Sequence, residues 1–125
     1  MGMAMEINNL TKFKISKKSF SQVAKIVLLS ENKGMRVSLA FVGKAEMQNL
    51  NKKFRGKDEP TDVLSFEGIN EVVICPEIVK KEGENIMRVF IHGVLHLLGY
   101  EHEGSEKKAK EMEEKEELYL KNYSN

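Results

Sequence analysis

Ile91-His92-Gly93-Val94-Leu95-His96-Leu97-Leu98-Gly99-Tyr100-Glu101-His102 contains all three histidines of the chain, spaced His-x3-His-x5-His. On a helix, residues four apart share a face, with Cβ atoms about 5–6 Å apart, so His92 and His96 can aim at one point. Gly99 breaks such a helix, and His102 can swing back from the turn that follows. Three converging neutral imidazoles, with no fourth protein ligand in view, describe an open catalytic Zn²⁺ site better than a closed structural one.

The flanking residues are strongly apolar, and a histidine is costly to bury there unless its nitrogens are satisfied. A metal satisfies one nitrogen of each ring and an acceptor behind the ring the other. Gly93 reads as removing bulk where substrate or metal must approach His92. Neutral ligands leave the ion its full charge, so it can acidify water and polarise a phosphoryl or carbonyl oxygen. A lone histidine on an apolar face is usually a satisfied core residue. Three of three at this spacing, ending at a Gly-Tyr turn, are not explained that way. Zn²⁺ is the first choice for a single bound ion, although imidazoles also suit Cu, Ni and Co. The pattern is similar to that of the zincin proteases, His-Glu-x-x-His with a later third ligand. Here Gly93 stands where they carry glutamate, so their general base is missing, which counts against peptide hydrolysis by their mechanism.

Outward from this stretch, residues 84–98 read as a central helix, apolar around most of its circumference and therefore largely buried. Residues 106–120 form a charged final helix with Ala109, Met112, Glu116 and Tyr119 at helical spacing, and 121–125 a frayed tail. Upstream, Thr61–Phe66 and Glu71–Cys75 are strands joined by Gly68-Ile69-Asn70, a hairpin, and Pro76 opens a short helix. Residues 44–54 form a helix with Ala45, Met47, Leu50 and Phe54 available for burial. Met35–Val42 alternates with period two. Ser16 or Ser19 caps a helix carrying Phe20, Val23, Ala24, Val27 and Leu28, which Asn32-Lys33-Gly34 closes, Gly34 suiting the left-handed cap. Residues 4–10 are weakly strand-like. The expected fold is α+β, a mixed sheet of about four strands packed with helices, with a zincin-like metal site on the central helix.

The chain has 125 residues, 41% hydrophobic and 31% charged, which suits one soluble domain spanning 1–125. No apolar run approaches the ~18 residues that cross a membrane. The N-terminus lacks the basic and apolar regions of a signal peptide. The one cysteine, Cys75, cannot form an internal disulfide, so a cytoplasmic location is expected. Net charge is +1, yet its distribution is uneven. Residues 11–57 carry 12 lysines and arginines against Glu31 and Glu46, whereas 58–125 carry 8 against 16 acidic groups. Such asymmetry can mark a nucleic-acid surface or simply solvated faces. Arg55 lies in a turn-rich, glycine-containing loop among Lys52, Lys53 and Lys57. Its guanidinium can fork onto phosphate oxygens or be an ordinary solvated loop arginine.

His92-Gly-Val-Leu-His-Leu-Leu-Gly-Tyr-Glu-His102 resembles the signature of the YbeY family of bacterial rRNA-maturation endoribonucleases, His-Gly-x-Leu-His-Leu-x-Gly-Tyr-Asp-His. Leu50-Asn-Lys-Lys-Phe-Arg-Gly-Lys-Asp-Glu-Pro-Thr-Asp-Val-Leu-Ser-Phe66 is similar to the family's Leu-Asn-x-x-Tyr-Arg-x-x-Asp-x-Pro-Thr-Asp-Val-Leu-Ser-Phe. Glu101 replaces the usual Asp, Asn70-Glu71 stands where Gly-Asp is frequent, and the span from that strand to the signature is short. The resemblance implies Zn²⁺ bound by His92, His96 and His102, and catalytic roles for Arg55 and His92. It implies a single-strand-specific endoribonuclease in 16S rRNA 3′-end maturation and ribosome quality control, with rRNA and the small ribosomal subunit as partners. Other readings are a metal-dependent hydrolase of peptides or small molecules, or a non-enzymatic assembly factor with structural zinc. Asp62 can accept from a ligand histidine or cap a turn; Glu101 can take a proton near the metal or lie on the surface. Cys75 reads as a small buried residue and Tyr100 as a packing one. Oligomeric state is not fixed by the sequence.

Overall fold

A computed structural model describes residues 5–101 and 104–124. The elements, in chain order, are β1 (Glu6–Asn9), α1 (Lys17–Ser30), β2 (Ser38–Phe41), α2 (Lys44–Arg55), β3 (Val63–Phe66), β4 (Glu71–Ile74), α3 (Pro76–Lys81), α4 (Ile86–Leu97) and α5 (Glu106–Ser124). The strands form one mixed sheet in the order β1-β2-β4-β3. β1, β2 and β4 are parallel, while β3 returns antiparallel on β4 with Phe66 opposite Glu71. The expected α+β fold and hairpin are therefore present, and β3 is an edge strand.

Alternation in the strands divides the core in two. Leu39, Phe41, Val72 and Ile74 face a large cluster with Val23 and Val27 of α1, Phe90, Val94 and Leu95 of α4, and Met112 and Tyr119 of α5. Val73 and Leu64 face a smaller one with Met47 of α2 and Cys75 and Ile78 around α3. Phe20 joins α1 to both sheet and α4, edge-on to Phe41 and Phe90 with ring centroids 5.2 Å apart in each pair. No helix among the described residues is long and apolar enough to cross a membrane.

Ser16 caps α1 by accepting from the Ser19 amide at 3.2 Å. Its C-terminal turn departs from expectation: Asn32 takes the left-handed conformation at φ 56°, in place of Gly34. Asparagine tolerates that conformation, and the Lys33 amide reaches the Leu28 carbonyl at 2.9 Å, which closes the helix one residue after Glu31. In α2, Met47 is buried and Leu50 half-buried, but Ala45 and Phe54 are exposed. Met47 and Asn51 are the buried residues of α2, and the last turn, with Phe54, stays at the surface. The frayed tail is also corrected, since α5 continues to Ser124. Tyr119, 2% exposed, anchors its last turns in the core.

Candidate active site

α4 begins at Asn85, whose side chain accepts from the amides of Met87 and Arg88 at 2.9 and 3.1 Å. It ends at Leu97, where Gly99 supplies a positive φ of 97°. Between these limits the helix is buried apart from one stripe, and His92 and His96 stand half-buried on it, one turn apart. Their Nε2 atoms are 3.1 Å apart. Two nitrogens bound tetrahedrally to one Zn²⁺ at 2.0–2.1 Å would stand about 3.3 Å apart, so the pair fits a shared ion. His102 lies outside the described residues.

Behind His92, its Nδ1 is 2.5 Å from Oε2 of Glu116 on α5. A carboxylate there holds the ring proton on Nδ1 and leaves the Nε2 lone pair facing His96. Glu116 is only 8% exposed, and Arg88 donates to its other oxygen at 3.2 Å. Burial pushes the Glu116 carboxyl up, but the hydrogen bonds and charges of His92 and Arg88 outweigh it and leave the group below its ordinary value. The acceptor behind His92 is therefore Glu116 and not Asp62. An acid on the apolar stripe of α5, four residues after Met112 and three before Tyr119, was the signal for it.

Gly93 also has a different reason from the one its position suggested. A Cβ there would meet Val72 Cγ1 at 2.8 Å and Val63 Cγ2 at 3.2 Å. The glycine thus faces the sheet, not the approach to the metal. It lets α4 lie against β3 and β4, and its carbonyl accepts from Ser65 Oγ at 2.8 Å.

The histidines floor a cleft of about 530 Å³ whose wall includes β3, Tyr100, Glu101 and Arg55. Arg55 is the last residue of α2, one position earlier than the loop in which it was expected, and is exposed. Gly56, at φ 71°, turns the chain away from the helix end. The loop is tied back by Asn51, whose Nδ2 donates to the Glu59 carbonyl at 2.8 Å, and by Gln48, whose Nε2 reaches Asp58 Oδ1 at 3.0 Å. Among the described residues no carboxylate makes an ion pair with Arg55, which leaves its guanidinium available to an anion in the cleft.

Asp62 lines the same cleft and turns toward Glu84; with Glu82, their carboxylate oxygens lie within 4.8 Å of one another. Partial shielding from water, then the hydrogen bond and charge of Asp62, push the Glu84 carboxyl up to about 7. Such a group can hold a proton or a hard divalent cation. Glu101 is exposed at the rim, 3.8 Å from Lys108. Tyr100 packs as expected, and its hydroxyl donates to Glu31 at 2.7 Å. Glu31 also accepts from Tyr119 and pairs with Lys115 at 3.2 Å, joining the end of α1 to α5 and to the turn after α4.

The family model described as endoribonuclease YbeY matches residues 6–124. An endoribonuclease YbeY of Thermotoga neapolitana is 40% identical over 115 residues, covering 82% of this chain and 77% of its own. One of Thermodesulfovibrio yellowstonii is 34% identical, covering 93% and 94%. The solution structure of TM1509 from Thermotoga maritima superposes with a TM-score of 0.67 at 30% identity, covering 96% of this chain and 89% of that one.

Proposed function

The chain belongs to the endoribonuclease YbeY family, and from that premise we propose that it is a metal-dependent endoribonuclease cutting single-stranded RNA in the His92–His96 cleft. The observation that carries the reading is the pair of Nε2 atoms 3.1 Å apart on the floor of a cleft that Arg55 also lines. In this proposal the residues 1–125 act as one domain in the cytoplasm, and His92, His96 and His102 hold one Zn²⁺. The RNA is rRNA of the small ribosomal subunit, cut in maturation and quality control of the 16S 3′ end.

Bound there, Zn²⁺ would supply Lewis acidity that activates water and polarises a phosphoryl oxygen. Around it, each residue has its own task. Glu116 keeps the His92 proton on Nδ1, so that Nε2 remains a ligand. Arg55 forks onto the non-bridging oxygens of the scissile phosphate and neutralises the charge that grows there. The Asp62–Glu84 pair keeps a proton at the edge of the cleft near neutral pH, within the range useful for acid–base work. Gly93, packed against the sheet, carries no group that could act as the base of a zincin protease.

The test is cleavage of single-stranded and duplex RNA, including a 16S 3′-end precursor, by wild type, Arg55→Ala and His96→Ala, with metal content measured for each. Wild type is expected to cut the single strand and spare the duplex. Arg55→Ala should keep its metal and lose about 10²–10³ in rate, the usual cost of one charge-stabilising donor. His96→Ala should lose both. Equal residual cleavage by all three would trace the activity to a contaminant and end the proposal. A 2′,3′-cyclic phosphate product would assign the nucleophile to the ribose 2′-hydroxyl.

A further inference from the structure

Phe54 is 56% exposed, although it lies on a helix whose core contacts are made by Met47 and Asn51. Its ring is not isolated: it meets Phe66 edge-on, with centroids 5.0 Å apart and planes at 74°. Phe66 is half-buried at the end of edge strand β3, and so fixes the Phe54 ring from one side. Lys53 places its ammonium 5.4 Å from the Phe54 centroid. Lys57 is exposed nearby in sequence, while Lys52 is engaged by Asp58 at 3.9 Å.

The position of this ring pair relative to the cleft matters most. Phe54 is the chain neighbour of Arg55, and Phe66 sits between Ser65 and Glu67; all three of those neighbours line the cleft. Neither ring is itself in the wall: Phe66 packs with the smaller cluster, on the sheet face away from the histidines, and the pair stands beside the cleft through Phe54, which directly precedes Arg55. Burial in the fold does not account for it, because more than half of the Phe54 surface remains in water. An exposed aromatic among cations, beside an arginine facing a cleft, has the composition of a stacking platform for single-stranded nucleic acid. Stacking is tolerant of sequence because every base offers a π face, and the lysines answer the phosphates on either side.

We infer that Phe54, braced by Phe66 and flanked by Lys53, stacks a base of single-stranded RNA next to the phosphate held by Arg55. This rests on the proposed RNA substrate but adds a contact to a base where the reaction itself needs only the phosphodiester. Duplex RNA cannot use such a platform, since its bases are already stacked and paired.

Direct binding separates this inference from cleavage. Metal-free protein is titrated by fluorescence polarisation with a 2′-O-methyl oligoadenylate, which resists attack through the 2′ position, and with an abasic phosphodiester oligomer of equal length and charge. Wild type should bind the oligoadenylate more tightly. Phe54→Ala should weaken the oligoadenylate roughly tenfold, leave the abasic oligomer unchanged and keep the melting temperature; Phe54→Trp should restore the difference. Equal affinity of wild type for both oligomers, or equal weakening of both by Phe54→Ala, overturns the inference. Sedimentation on the same samples tests a second copy of the chain as the occupant: self-association abolished by Phe54→Ala, with oligoadenylate affinity unchanged, would overturn it too. Base-dependent binding here, together with no cleavage of unmodified single-stranded RNA by the metal-loaded wild type, would leave the platform standing and remove the proposed enzymatic reading, so the two fail separately.

Discussion

His92 Nδ1 and Glu116 Oε2 are 2.5 Å apart across the α4–α5 interface. The contact makes the final helix part of the site. Glu116 is held in turn by Arg88, one turn before His92 on α4. The carboxylate is thus fixed from two points, and the imidazole has little freedom to rotate or change tautomer.

Glu116→Gln should weaken Zn²⁺ binding about 10- to 100-fold, the usual effect of removing a carboxylate behind a ligand histidine. Competition with a chromophoric chelator measures it. The amide keeps the volume and leaves the helix packed, so circular dichroism should be unchanged. Wild-type affinity in the variant would show that Glu116 serves only the α4–α5 packing.

Glu31 gives a stability prediction with a definite sign. Burial pushes its carboxyl up, but Tyr119, Tyr100 and Lys115 outweigh this and bring it below its ordinary 4.5. Burial, and then the hydrogen bond and charge of Glu31, raise the Tyr100 hydroxyl to about 12. A carboxyl lowered by folding stabilises the protein above its ordinary range, and that stability is lost as pH falls through the lower folded value. Glu31→Gln, which cannot offer two anionic oxygens to both tyrosines, should cost about 2–3 kcal/mol at pH 7 by urea denaturation. The difference from wild type should shrink steadily below pH 4.5. A difference that stays constant with pH would assign the loss to packing.

Glu84 carries the opposite sign. Its carboxyl is raised to about 7 by partial shielding and by Asp62. A group raised by folding contributes stability that is complete below its ordinary 4.5 and is lost as pH rises through about 7. The metal-free protein should therefore melt at a lower temperature at pH 8 than at pH 5. Glu84→Gln should flatten that slope and raise the melting temperature at pH 8. An unchanged slope would mean that Asp62 and Glu84 do not share a proton.

What the sequence disclosed follows from distance along the chain. The α4 helix, its histidine pair and the β3–β4 hairpin are local patterns, set by residues four apart or by a short turn, and all three are found. The Leu50–Phe66 motif placed Arg55 at the cleft with only the helix end displaced. Contacts between distant residues were not legible. Glu116 meets His92 24 positions away, and Glu31 meets Tyr100 and Tyr119 69 and 88 positions away. Both glutamates were visible as acids in sequence, but no period links them to their partners. Gly93 failed for another reason: its neighbour His92 points to the cleft, and successive helical residues differ in direction by about 100°.

Gly93 decides between two accounts of the same residue. Replacing a helical glycine with alanine ordinarily stabilises by about 1 kcal/mol. Here the new Cβ would lie 2.8 Å from Val72 Cγ1, and Val72 is fully buried on a central strand, with a branched side chain that is stiff at χ1. Overpacking of that kind costs about 1–3 kcal/mol and should outweigh the helical gain. Gly93→Ala is therefore expected to lower the melting temperature, and Val72→Ala added to it should recover part of the loss, a coupling that a double-mutant cycle reads directly. If Gly93 instead kept the approach to the metal clear, Gly93→Ala would retain full stability and lose RNA cleavage, and Val72→Ala would restore nothing. The Cβ direction favours the packing account, which also explains why no larger residue can stand beside His92: β3 and β4 already fill the space.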